Sequence, residues 1–172
     1  MIRIAGTRSA AAVAVLFIVI VAVAASQDTL ASPDTALFIY DKIDDNSRFY
    51  IEAVRENLGG MGIPFKEAAA ETEKNYDASP YHRVIVYSMV MGFNMISPVR
   101  SWLRKGEGLT GKDVLILVTA NRWFNEKQRK ELVKIAGDRQ ANVIDAVSMA
   151  TEKLSDEKKQ KTIGKHLARL QP

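Results

Sequence analysis

The sequence has no cysteine, which excludes disulfides, thiolate nucleophiles and thiolate metal sites. Histidine is almost as scarce. His82 and His166 are the two present, and they fall on separate predicted elements. A histidine-based metal centre is therefore not expected, and each is read as a plain surface or boundary residue. No charge of one sign dominates, with a formal net charge of +4 over 172 residues. Setting aside Arg3 and Arg8 in the N-terminal tail leaves +2. With no Lys/Arg block interleaved with aromatics, a nucleic-acid footprint is excluded. There is no internal repeat, and no constellation of acids, bases and nucleophiles that marks hydrolytic catalysis.

One long hydrophobic run is present. Residues 9–27 carry no charge for 19 residues, just enough to span a bilayer. Arg3 and Arg8 precede it, and the small residues Ala22 and Ala24 suit processing. Residues 1–27 thus read either as a cleavable signal peptide or as a retained signal anchor, a hydrophobic helix in the membrane. Both place the remainder outside the cytoplasm, periplasmic, secreted or anchored. Residues 28–34 read as a linker, leaving residues 35–172 for one domain.

That domain alternates strands and helices. Residues 36–40 (ALFIY) are continuously apolar, as in a strand covered on both faces. A polar loop, DKIDDNS, follows, with Asn46 or Ser47 as helix cap. Tyr50, Val54 and Leu58 then recur on one helical face. Residues 63–68 suit an edge strand, and residues 83–88 (RVIVYS) a buried one. Ser97 and Pro98 open a helix whose inward face is Val99, Trp102 and Leu103. Residues 113–119 (DVLILVT) form a fourth strand. Asn125 and Gln128 have capping-box spacing for the next helix. Residues 141–147 (ANVIDAV) form a fifth strand. Ser155 caps a last helix, with Asp156 and Glu157 in its first turn and Ile163, Leu167 and Leu170 on its apolar face. Five strands alternating with helices predict a three-layer, doubly wound α/β domain with a five-stranded parallel sheet.

Three stretches carry a family resemblance: Tyr76-Asp77 before the third strand (Tyr81 being a less suitable match), PVRSWL at residues 98–103, and LTGK at residues 109–112. The ending, ANVIDAV and then a Ser-Asp-Glu-initiated helix, adds to it. Together they resemble the flavodoxin-like family, flavodoxins and FMN-dependent quinone reductases, over everything from Ala36 onward. The resemblance implies strand order 2-1-3-4-5 and FMN bound at the loops after the first, third and fourth strands. Asn46 and Ser47 match the last two positions of the family's phosphate-binding loop. Arg48 follows, while Asp41, Lys42, Ile43, Asp44 and Asp45 replace hydroxyls and glycine. Met91, Gly92, Phe93 and Asn94 would belong to the second flavin-contacting loop, with Met91 and Phe93 against the isoalloxazine ring and Trp123 as a further aromatic wall.

Two functions stay open at this point. One is an exported FMN-binding domain with an electron-transfer or quinone-reductase role, whose partner is a redox protein or a quinone. The other is a flavin-free fold acting as a binding or structural module. A phosphoacceptor receiver domain fits poorly, because the third strand ends Ser88-Met89 with no aspartate and the fifth ends Val147-Ser148 with no lysine. A Mg²⁺ or Ca²⁺ site on Asp41, Asp44 and Asp45 is a looser variant.

Overall fold

The computed structural model describes residues 34–73, 75–90, 97–120, 125–152 and 154–171. The hydrophobic N-terminal run, both flavin-ring stretches at residues 91–94 and Trp123 lie outside these residues. Among the described residues, no helix is long and apolar enough to cross a membrane.

The elements follow one another as β1 (Ala36–Tyr40), α1 (Arg48–Gly60), β2 (Phe65–Ala69), β3 (Arg83–Val90), α2 (Pro98–Lys105), β4 (Asp113–Ala120), α3 (Asn125–Asp138), β5 (Asn142–Ala150) and α4 (Asp156–Leu167), with a 3-10 turn at Ala168–Leu170. The five strands pair in parallel in the order β2-β1-β3-β4-β5. All five residues of β1 are buried. That is what a central strand covered on both faces requires, and it explains the unbroken apolar run.

Alternation along the strands sorts the core into two clusters. Phe38, Tyr40, Ile85, Tyr87, Leu115 and Leu117 face α1 and α4, meeting Tyr50, Val54, Leu58, Ile163 and Leu167. Leu37, Ile39, Val84, Val86, Val114, Ile116 and Val118 face the opposite way, onto Val99, Trp102, Leu103, Leu132 and Ile135. The helix faces read from the periodicity are the buried ones.

The stretches that carry the family resemblance are structural. Trp102 is 1% exposed, and its indole N–H donates to the Tyr76 carbonyl at 2.9 Å. The Tyr76 and Tyr81 hydroxyls meet at 3.0 Å, and the Asp77 carboxylate accepts from the Ser79 amide at 2.8 Å. Gly108 has φ +75°, and a Cβ there would lie 2.2 Å from the Ser79 nitrogen. Only glycine serves at a close approach with that backbone.

One expectation needs correcting. His166 is neither surface nor boundary but 5% exposed. Its Nε2 lies 3.1 Å from the Ile116 carbonyl of β4, and its Nδ1 lies 2.8 Å from Asp145 Oδ2 of β5. The contact falls beside the register shift where β4 pairs β5, between Val114 and Leu115. His166 is therefore a pin between α4 and the irregular edge of the sheet.

Candidate functional site

In a parallel sheet of this order, the crevice lies beyond the C-terminal ends of β1 and β3, where successive connections leave in opposite directions. The loop from Asp41 to Ser47 borders that crevice. Its acids are not a row of free carboxylates. Each does something different.

Asp41 turns inward and is 8% exposed. Its Oδ2 accepts from the Ser88 hydroxyl at 2.7 Å and the Met89 amide at 3.0 Å. Its Oδ1 accepts from the Ser97 hydroxyl at 2.8 Å and the Val99 amide at 2.9 Å. One side chain thus joins the end of β1 to the end of β3 and to the N-terminus of α2. A carboxylate is well placed at a helix N-terminus, where orphan amides and the dipole both favour an anion. Gln128 extends the network. Its amide nitrogen lies 3.3 Å from the Ser88 hydroxyl, and its carbonyl oxygen accepts from Arg100. Arg100 also pairs with Glu131 at 3.2 Å. The spacing that marks Gln128 as a capping-box partner hides this role, because the side chain is buried and points across to α2 and β3.

Asp44 is the second finding. Its Oδ1 accepts from the Asn46 amide at 3.0 Å and the Ser47 amide at 2.9 Å, and its carbonyl accepts from the Arg48 amide at 2.9 Å. The Ser47 hydroxyl accepts in return from the Asp44 amide at 2.8 Å and donates to the Lys42 carbonyl at 2.8 Å. This is a capping box in which Asp44 caps and Ser47 stands three residues on. Ser47 itself has helical backbone angles, φ −89° and ψ −26°, and its side chain makes no cap bond to α1, so the side chain that holds the turn leading into the helix is Asp44 rather than the Asn46 or Ser47 expected from the sequence. Desolvation pushes the Asp44 carboxyl pKa up, but the amides of Ser47 and Asn46 and the charge of Lys42 outweigh it and hold the pKa below the usual value. Lys42 Nζ lies 3.6 Å from the other Asp44 oxygen.

Asp45 is fully exposed and pairs loosely with Arg48 at 4.0 Å. The three carboxylates therefore diverge. Among the described residues, no group of three His, Asp or Glu could hold a metal ion.

Of the site residues read from the sequence, Asn46, Ser47 and Arg48 are described. Asn46 and Ser47 offer backbone amides converging on one oxygen. The Ser47 side chain is buried and turned into the loop, while the Arg48 side chain is 60% exposed on the outer side. Ile43, at the loop's tip, is 42% exposed. Nearby, Tyr50 stacks on Tyr87 at 5.9 Å, and the Tyr87 hydroxyl meets the Thr119 hydroxyl at 3.0 Å. Burial pushes the Tyr87 pKa up, so that phenol stays protonated.

The phosphate of a flavin mononucleotide needs converging amide donors at this helix start. The loop has them, and they already hold an anionic oxygen, that of Asp44. In the folded loop both amides are spent on Asp44 Oδ1, at 3.0 and 2.9 Å, so a phosphate would have to displace that carboxylate to reach them.

No protein-family model matches the chain, and no curated protein matches its sequence. Solved structures do match its fold. A flavodoxin from Streptococcus pneumoniae is 16% identical with a TM-score of 0.57, over 78% of this chain and 97% of that one. A Fusobacterium nucleatum flavodoxin variant bound to flavin mononucleotide is 12% identical with a TM-score of 0.58, over 79% and 94%. Rubredoxin oxygen:oxidoreductase from Desulfovibrio gigas is 15% identical with a TM-score of 0.56, over 79% of this chain and 35% of that one. At these identities the likeness is one of architecture. The two buried faces, the 2-1-3-4-5 sheet and the cap-bearing loop after β1 together make this a domain of flavodoxin-like fold.

Proposed function

We propose that the chain is a flavin-linked redox domain that takes FMN at the C-terminal edge of its sheet and passes electrons to a redox partner. The observation that carries this reading is the β2-β1-β3-β4-β5 sheet, whose fold matches that of the Fusobacterium flavodoxin variant bound to flavin mononucleotide with a TM-score of 0.58. FMN would supply the electron-accepting ring. The chain's own part would be to offer the Asn46 and Ser47 amides to the phosphate once the Asp44 carboxylate moves off them. The electron acceptor is a redox protein or a quinone.

A second reading, a flavin-free module, is favoured by a different observation, the Asp44 carboxylate already seated on those amides. Purified protein incubated with excess FMN separates the two. Retained absorbance near about 450 nm after desalting supports the first, and a protein that stays colourless overturns it. Export belongs to the proposal too, on the strength of Arg3, Arg8 and the uncharged residues 9–27. Sequencing the mature N-terminus tests it.

A further inference from the structure

We infer that the outer face of α4 is an electrostatic landing surface for an anionic lipid bilayer, carried by Lys158, Lys161, Lys165 and Arg169. The inference goes beyond the FMN reading and rests in part on the reading of residues 9–27 as a membrane anchor. Spacings of three, four and four residues put the four cations on one side of the helix, and all four are exposed. Lys158 and Lys165 stand two turns apart, about 10 Å along the axis. The other sides of α4 are occupied. Ile163 and Leu167 enter the core, Gln160 bonds to Glu56 of α1 at 3.0 Å, and His166 contacts β4 and β5. Among the described residues, no carboxylate forms an ion pair with Lys158, Lys161 or Lys165. Arg169 comes no nearer to Asp145 than 4.0 Å.

The modest net charge of the chain hides a division. Residues 34–82, which build β1, α1 and β2, hold 10 acidic and 5 basic residues, while residues 83–172, which build the rest, hold 9 and 17. The sheet order sets these at opposite ends, with the acidic surplus at the β2 edge and the basic surplus at the β5 edge. The field of the domain therefore turns its β5 and α4 side toward an anionic surface. A protein interface centres on aromatic or apolar anchors and is poor in lysine. This face has no such anchor, since the exposed large hydrophobic among the described residues is Ile43, on the loop after β1. A bilayer needs none, because its headgroup charge attracts each lysine separately. The sequence also brings a bilayer within reach. Eight residues, Asp28 to Thr35, join the uncharged run to β1, and they extend at most about 28 Å.

The chain has no cysteine, so one environment-sensitive fluorophore on Ala168→Cys, beside Arg169, reports on this face alone. The labelled full chain is placed in vesicles of phosphatidylcholine and in vesicles of phosphatidylcholine mixed equally with phosphatidylglycerol. Both hold the anchor. Only the anionic vesicles should shift the label's emission to the blue, and high salt should reverse the shift. Lys161→Gln combined with Lys165→Gln should lower the docked-to-undocked ratio about 25-fold, at about fivefold per cation. Lys127→Gln combined with Lys130→Gln, an equal loss of exposed charge on α3, should change it by less than about twofold. Equal losses from the two pairs, or a label that stays silent on the anionic vesicles, overturn the inference. So does a shift produced in neutral vesicles by soluble poly-glutamate and not by the anionic lipid, which would assign the face to an acidic protein. If the chain does not remain on neutral vesicles, the anchor reading fails, and cosedimentation then decides the role of α4. Capture by anionic vesicles that is lost in the α4 pair supports the inference, and no capture overturns it.

Discussion

Replacing Asp41 with alanine removes four acceptor contacts at once, and the two kinds of donor respond differently. The hydroxyls of Ser88 and Ser97 lie 3.2 Å apart and can rotate onto each other. The amides of Met89 and Val99 cannot turn, and both bonds are buried. An orphaned buried donor costs about 1–3 kcal/mol, and loss of the charged acceptor puts these two toward the upper half of that range. Partial relief by water admitted into the gap lowers the sum, so about 3–5 kcal/mol is expected. For a domain whose whole stability is of order 5–15 kcal/mol, that is a large share. Urea unfolding followed by circular dichroism should show the midpoint falling with the slope unchanged. Asp41→Asn should cost less, about 2–3 kcal/mol, because one oxygen still accepts while the new NH₂ group faces two donors. A loss below about 1 kcal/mol for Asp41→Ala would refute the reasoning, since it would mean that the amides of β3 and α2 do not depend on this carboxylate.

Other outcomes follow from single residues. Gly108→Ala should cost at least about 3 kcal/mol in thermal unfolding, combining left-handed strain with a Cβ 2.2 Å from the Ser79 nitrogen. Gly62→Ala, at φ +67° with open space around it, should cost only about 1–2 kcal/mol. Glu126, held by Arg129 and Ser148, has its pKa lowered to about 2, so its carboxylate carbon should titrate near that value by NMR. The sign is that of a depressed acid: its contribution is present above the ordinary glutamate range and fades as pH falls toward about 2. Asp44 behaves in the same direction, and Asp44→Asn should flatten the acid limb of the stability profile between the ordinary aspartate range and lower pH. His166→Ala strips the donor from the Ile116 carbonyl and leaves a gap between α4 and β4. Chemical denaturation should show a loss of about 2–4 kcal/mol.

The strands were readable because their physics is local. Leu37, Phe38 and Ile39 leave no polar face, so a central strand is the economical reading. Val99 and Trp102 locate the inward side of α2 in the same way. The loop was harder to read, because its meaning depends on partners far away in sequence. Nothing adjacent to Asp41 reveals that it serves Val99, 58 residues on. Asp44 did carry a local signal, its three-residue spacing to Ser47. That signal was hidden by Ser47 being an equally good cap on residue type alone. Gln128 has the mirror problem, since a plausible local role disguises a tertiary one. His166 could not be placed from the sequence, because its partners are a carbonyl of β4 and a carboxylate of β5. The two ring-facing loops expected at Met91 to Asn94 and at Trp123 fall outside the described residues.

The parallel order of the sheet has a directional consequence. β1 is paired on both sides, with Ala36 beside Phe65 and Arg83, and its five residues run about 17 Å toward Asp41. Every strand points the same way, so the chain enters the domain on one rim and presents the Asp41–Ser47 loop on the opposite rim. A tether attached ahead of Ala36 would therefore hold this domain by its base. The loop would stand on the rim opposite the point of attachment. Length added before Ala36 would change how far that rim can reach.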